Sequence, residues 1–378
     1  MATIKDNGEL TLDWSEKGSC KIRFVDNVFN LENAAFAELL KAVSGSDSPR
    51  LLLAADTNVV HRTEGLGSRI GRYLNEYGIK LAGGAIVLNG GEKIKSDDMA
   101  SVGLIASKLV EAKIGVNDIV LAIGGGSLLD AVGYAAVQTR GGVKLVRVPT
   151  TPAAMIDAAY AMNAAVDTDG VKDALRVPCR PAAVVVDMSF AQTVLDGVWR
   201  GGVGEAVRHA AVSDGALMKK IAKNAESLRN RDANVMGEMI RACVASRVKK
   251  GPVDFAQWCA ARLEAMSGYK LPHGYAIPIS ICIECAYAVA RGIMKESDQE
   301  LVCGALADCG ALDGLGHSHH ILSQTDSILF GLDAWELATG SRRVLLPAGV
   351  GKSTIEEEPD RELYKKVIKE FLAVSIAS

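Results

Sequence analysis

The chain reads as an α/β protein, with a doubly wound parallel sheet in its first part and a mostly α-helical second part. Three observations predict this. Short apolar runs alternate with helical patterns up to about residue 187, and strand-like runs then become rare. Between them, residues 118–136, DIVLAIGGGSLLDAVGYAA, join an apolar run to a helical pattern through three glycines. That order is buried strand, tight turn, helix.

Taken in order, the predicted strands are Leu51 to Asp56, Ala85 to Asn89, Ile119 to Ile123, Lys144 to Val148 and Ala182 to Asp187. An amphipathic segment, Asp97 to Ala112, separates the second from the third, and a helix from Leu128 to Gln138 separates the third from the fourth. Strands of a parallel sheet end at one edge, so Asp56, Gly124 to Gly126 and Pro149 to Thr151 are expected around one crevice. The glycines there let the backbone approach a ligand, and the N–H groups of the helix start favour an anion, most often a phosphate. The run is not the GxGxxG fingerprint, and an ordinary strand-to-helix turn has the same appearance.

Helical patterns take over at Phe190 to Val212, Leu217 to Leu228, Asn234 to Ser246, Phe255 to Met266 and Ile277 to Arg291. The expected division is an α/β domain over 1–187 and a helical domain over 188–378, with a charged amphipathic helix in the tail from Thr354. A formal net charge of −3 argues against nucleic acid or an anionic membrane as an obligatory partner. The longest apolar stretch, Ile277 to Ala290, is too short and interrupted to span a bilayer, and the N-terminus has no apolar signal core, so a cytoplasmic location is expected. The cysteines form no paired framework, and the CxxC at Cys282 and Cys285 is read as core packing.

Asp56-Thr-Asn-Val, Gly91-Glu-Lys-Ile-Lys95, Gly124-Gly-Gly-Ser127 with Asp130, Pro149-Thr-Thr151 with Asp157, Gly204-Glu205 and Leu271-Pro-His273-Gly274 follow one another in order and approximate spacing. This series resembles 3-dehydroquinate synthase and its sugar phosphate cyclase relatives over nearly the whole chain. Pro252 to Leu271 is similar to the branch found in ebo-type gene clusters. The resemblance implies an NAD-dependent cyclase that transiently oxidises a sugar phosphate, eliminates phosphate, returns the hydride and closes a ring, commonly as a homodimer. It places Asp56, Glu92, Lys95, Gly125, Gly126, Asp130, Thr150, Thr151 and Thr193 at the NAD site, and Asp157 near the nicotinamide and substrate. Read singly, Asp56 can end a strand, Thr150 and Thr151 can cap a helix, and Lys95 can be a solvated lysine.

The resemblance also implies a divalent metal, usually zinc, on one glutamate and two histidines. Glu205 and His273 match two of these positions, while Gln257 stands where the third ligand, a histidine, belongs. An amide oxygen is a poor zinc ligand beside imidazole. Ala261 replaces a phosphate-handling histidine, Asn163 a substrate-binding lysine and Arg208 another lysine; Asp173 replaces an asparagine beside Lys172, which matches. These changes remove positive charge from the place where phosphate should leave, so an altered substrate or chemistry is expected, with Asp157, Lys172 and Arg208 as catalytic candidates. His209 is a possible substitute ligand, or a structural histidine. His317, His319 and His320 read as a surface loop. Two alternatives stand beside the cyclase: a polyol or alcohol dehydrogenase of the same fold that releases NADH, and a non-catalytic nucleotide-binding homologue.

Overall fold

A computed structural model describes residues 2–4, 10–12, 18–139 and 143–377. At its start a two-stranded antiparallel ribbon pairs β1 (Ala2–Ile4) with β2 (Leu10–Leu12). The main sheet has seven strands, all in parallel pairs: β3 (Lys21–Phe24), β4 (Arg50–Asp56), β5 (Lys80–Leu81), β6 (Ile86–Leu88), β7 (Ile119–Gly124), β8 (Lys144–Pro149) and β11 (Ala183–Val186). Their order across the sheet is β3-β11-β8-β7-β4-β5, with β6 also on β4. The chain passes from β4 outward to β5 and β6, then returns to β7 on the other side of β4. That reversal makes the carboxyl ends of β4 and β7 the switch point where a doubly wound sheet opens a crevice. Every residue of β7 is buried, as expected of an apolar run covered on both faces.

Helices α1 (Ala35–Ser44), α2 (Thr57–Arg62), α3 (Leu66–Glu76), α4 (Ala100–Glu111) and α5 (Gly126–Gln138) connect or cover these strands. The short α6 (Pro152–Ile156) leaves β8 at the crevice edge. Before β11 the chain makes an antiparallel hairpin, β9 (Asn163–Thr168) and β10 (Val171–Pro178), which the sequence reading did not anticipate. Its alternation is obscured by charged residues, and its register shifts between Val171 and Leu175, where Asp173 has a left-handed φ of 53°.

The second half holds α7 (Met188–Ala191), α8 (Asp196–Ser213), α9 (Gly215–Lys223), α10 (Ala225–Arg229), α11 (Ala233–Lys250), α12 (Gln257–Met266), α13 (His273–Ala290), α14 (Glu296–Asp308), α15 (His319–Leu322), α16 (Thr325–Thr339) and α17 (Arg361–Ala377). The expected helix over Phe190 to Val212 is two helices, because Asp187 caps a separate short one by accepting the Ser189 N–H at 2.9 Å. The tail is not all helix: β12 (Val344–Pro347) pairs with β13 (Ser353–Glu356) before α17 begins. Residues His317, His319 and His320 lie on a short 3-10 turn and α15 rather than in an irregular loop. By length and composition α13 passes as a membrane-spanning segment, but it is largely buried and serves as the core helix of this half. Cys282 and Cys285 are buried free thiols on it, in keeping with core packing.

Candidate active site

Glycines set the distance between the two halves. On α8, a Cβ at Gly201 would lie 2.8 Å from the Cα of Gly274, and one at Gly202 would lie 2.2 Å from the Cβ of Pro152. Backbone therefore meets backbone where α8 crosses the start of α13, and α8 also seats directly on α6. One turn beyond Gly201 comes Glu205, and one residue before Gly274 comes His273. The close crossing brings the pair together: His273 Nε2 is 2.8 Å from Glu205 Oε1. The other ring nitrogen, Nδ1, is 2.8 Å from Glu264 Oε1 on α12. With carboxylates at both nitrogens the ring is held as imidazolium; burial works against the charge, but Glu264 and Glu205 outweigh it and raise the pKa to about 10.

Arg208, one turn after Glu205 and buried, faces the same carboxylate. It donates from Nε to Glu205 Oε2 at 2.9 Å and from Nη1 to the Val253 carbonyl at 2.6 Å, while Nη2 lies 2.8 Å from Glu205 Oε2 and 3.0 Å from Asp157 Oδ2. Burial alone would raise the Glu205 pKa, but Arg208 and His273 bring it down to about 2. Asp157, at the end of α6, also pairs with Arg247 of α11. One carboxylate at the sheet edge thus faces two guanidiniums of the helical half.

A second charged cluster continues from Glu264. Lys172 of β10 bridges Glu264 and Glu92, the latter at 3.0 Å, and Glu92 accepts from Ser127 Oγ at 2.5 Å. Lys95, expected as a cofactor ligand or a solvated lysine, is only 4% exposed and sits among Asp173, Asp130 at 3.2 Å, Glu92 at 3.5 Å and Asp167 at 3.9 Å. Burial works against the charge on Lys172 and Lys95, but the surrounding carboxylates outweigh it, raise both pKa values and keep both lysines charged. Burial lifts Asp130 to about 6 against the pull of Lys95. Glu92 is driven well below the usual carboxylate range, because Lys172 and Lys95 outweigh burial. The unanticipated hairpin delivers Lys172 and Asp173, and the buried Asp167 with them; Asp167 holds the hairpin bulge by accepting the Asp173 N–H at 2.8 Å.

The glycine turn lies at the same edge. Gly125 precedes α5 in an extended conformation, and a Cβ there would lie 3.3 Å from Thr151 Cγ2; a Cβ on Gly126 would lie 3.0 Å from Ala158. The Thr150 N–H donates to the Gly124 carbonyl at 3.0 Å, which fixes the loops of β7 and β8 together, and its buried Oγ1 has no partner among the described residues. Asp56 caps α2 through the Asn58 N–H at 2.8 Å and packs on Gly90, where a Cβ would collide with its carboxylate. Thr151 caps α6 through the Ala154 N–H at 3.3 Å, and the half-buried Thr193 donates to the Phe190 carbonyl at 2.9 Å. Open backbone, an unpartnered buried hydroxyl and a helix start together fit the pyrophosphate of a dinucleotide.

The metal-ligand set is less complete. Glu205 and His273 meet, but Gln257, half-buried at the start of α12, makes no side-chain hydrogen bond among the described residues. His209 is buried, its Nε2 has no hydrogen-bond partner among the described residues, and burial followed by Arg208 and Arg247 pushes its pKa down to about 4. No group of three or more His, Cys, Asp or Glu among the described residues is arranged to hold a metal ion. With Glu205 and His273 committed to other partners and an amide in third place, the donors do not fit a zinc site. Asn163 is exposed at the start of β9 and Ala261 is half-buried on α12, so neither adds charge to the crevice.

A doubly wound sheet with a glycine turn at its switch point, facing a helical half through Glu205 and His273, defines a dinucleotide-dependent enzyme class. Residues 85–200 match the profile of the 3-dehydroquinate synthase N-terminal domain, and residues 202–314 that of its C-terminal domain. The chain belongs to the 3-dehydroquinate synthase family of sugar phosphate cyclases. It is 25% identical over 282 residues to the 3-dehydroquinate synthase of Saccharolobus solfataricus, covering 70% of this chain and 77% of that one. In fold it is similar to 2-epi-5-epi-valiolone synthase from Streptomyces hygroscopicus subsp. jinggangensis 5008, solved with NAD+ and Zn2+, with a TM-score of 0.83 at 20% identity over 96% of this chain and 99% of the other. It is also similar to 2-deoxy-scyllo-inosose synthase complexed with carbaglucose-6-phosphate, NAD+ and Co2+, with a TM-score of 0.73 at 18% identity over 92% and 96%.

Proposed function

We propose that this chain is an NAD-dependent cyclase acting on a phosphorylated sugar or sugar acid through transient oxidation, phosphate elimination and ring closure. The observation that carries the reading is the position of Asp157. It stands at the sheet edge beside the glycine turn while its carboxylate engages Arg208 and Arg247 of the helical half. Membership of both halves in the cyclase family supports it. When bound, NAD+ supplies the hydride acceptor. Gly125, Gly126 and Thr150 would hold its pyrophosphate, and Asp56 a ribose hydroxyl. Asp157 orients the substrate hydroxyl, and Arg247, whose ion-pair partner is Asp157, receives the substrate's anionic group. Lys172 holds Glu92 and Glu264 in place between the cofactor edge and His273.

A second reading, an NAD-dependent polyol or alcohol dehydrogenase, draws on the carboxylates gathered round Lys95, which repel a dianionic phosphate. A panel of phosphorylated sugars, sugar acids and plain polyols, assayed with NAD+ for inorganic phosphate and for NADH, separates the two. The cyclase reading expects NAD+-dependent phosphate release without NADH accumulation. NADH accumulating on a polyol, with no phosphate released from any sugar phosphate, would replace it with the dehydrogenase.

A further inference from the structure

We propose that this site works without a divalent ion, and that the guanidinium of Arg208 occupies the place and supplies the positive charge that a metal would otherwise bring. The inference rests on four features of one cluster. First, both oxygens of Glu205 are spent: Oε2 on Arg208 at 2.8 and 2.9 Å, and Oε1 on His273 at 2.8 Å. Second, both ring nitrogens of His273 face carboxylates, so Nε2 has no lone pair directed at an ion while it holds Glu205. Third, position 257 carries an amide in place of an imidazole, and that amide makes no side-chain hydrogen bond to the cluster among the described residues. Fourth, Arg208 is 2% exposed, and its guanidinium lies between Glu205 and Asp157 at 2.8 and 3.0 Å.

Arginine decides the matter, because its guanidinium does not lose its proton in a protein. A lysine at this position can neutralise or swing aside when a dication enters; a buried guanidinium, tied also to the Val253 carbonyl at 2.6 Å, does neither readily. Its charge repels a second cation, and its planar fork satisfies the carboxylate that would have been a ligand. The substrate hydroxyl oxygen, which gains negative charge as its proton leaves ahead of hydride transfer and loses it as the carbonyl forms, would then face the fixed positive charge of Arg208. This role of Arg208 deepens the cyclase reading and rests on it. Metal exclusion does not, and it is measured without any turnover.

The test uses zinc and cobalt(II) salts on the full-length protein. Wild type and His273→Ala are each equilibrated with zinc, dialysed and analysed for metal, and the quantity read is the difference between them. The proposal expects a difference near zero; a difference near one equivalent per chain overturns it. Cobalt(II) titration of wild type alone, followed by visible absorption, needs no variant: no tetrahedral cobalt band is expected, and a saturating band that zinc displaces overturns the proposal. Gln257→His and the double variant Arg208→Met/Gln257→His then isolate Arg208 as the excluding group. The double variant should bind zinc roughly 10- to 100-fold more tightly than Gln257→His, and equal affinity in the two would show that Arg208 does not keep the ion out. Loss of cyclase activity in every assay, with metal exclusion intact, would fault the reading of the reaction and leave the metal-free site standing.

Discussion

Glu284 lies in the middle of α13, eleven residues after His273, and among the described residues no cation pairs with it. It is fully buried, accepts from Tyr364 of α17 at 2.7 Å, and also accepts from the indole N–H of Trp258, the residue after Gln257. Burial pushes its pKa up to about 8 from an ordinary 4.5; the hydrogen bonds from Tyr364 and Trp258 only moderate the rise. The folded state therefore keeps a proton that the unfolded chain releases above pH 4.5. The contribution of this group to stability is fully present below that pH and is lost as pH rises through about 8, with a slope approaching about 1.4 kcal/mol per pH unit. The accumulated loss by pH 8 is up to about 4 kcal/mol. Glu284→Gln keeps the shape and a carbonyl acceptor for Trp258, and its amide can donate to the Tyr364 oxygen. We expect the variant to match wild type near pH 4.5 and to exceed it by about 2 to 4 kcal/mol at pH 8, read as a gap in melting temperature that widens with pH. Melting temperatures that run parallel from pH 5 to pH 9 would refute a protonated Glu284.

Other expectations follow from the same geometry. Gly125→Val places a branched side chain against Thr151 where the pyrophosphate would lie, so NAD+ affinity measured by calorimetry should fall more than about 10-fold with the melting temperature little changed; unchanged affinity would remove the cofactor from this turn. Gly201→Ala puts a methyl 2.8 Å from the Gly274 backbone, and although alanine favours helix, the clash should cost about 1 to 3 kcal/mol, read by thermal unfolding; a more stable variant would mean that α8 and α13 do not meet there. His273 holds its proton to about pH 10, contributing stability below pH 6.5 that is lost as pH rises through 10, so its ring nitrogens should show imidazolium shifts by NMR at pH 8, and neutral-ring shifts would contradict the double clamp.

Much of the sheet was legible because buried parallel strands write themselves as apolar runs. The five expected strands correspond to β4, β6, β7, β8 and β11, with ends moved by a residue or two. The charged hairpin β9–β10 escaped because its side chains serve the crevice, so neither strand period survives. On α8, Gly197, Gly201, Gly202 and Gly204 are plain in the sequence as helix-weakening residues, but only the crossing with α13 and α6 shows that they are the means of close approach. Glu205 and His273 were legible as a pair; their engagement by Arg208 and Glu264 was not, because an ion pair between distant segments leaves no local pattern. The reading of Lys95 as a solvated lysine fails: it is buried among four carboxylates.

Recycling of the cofactor is the property on which the proposed reaction turns, and it is measured as inorganic phosphate released per NAD+ supplied, with substrate in large excess over NAD+. Transient oxidation with return of the hydride predicts many phosphates released for each NAD+, with the cofactor recovered oxidised. Turnover that stops at one event per NAD+, leaving an equal amount of NADH, would contradict it.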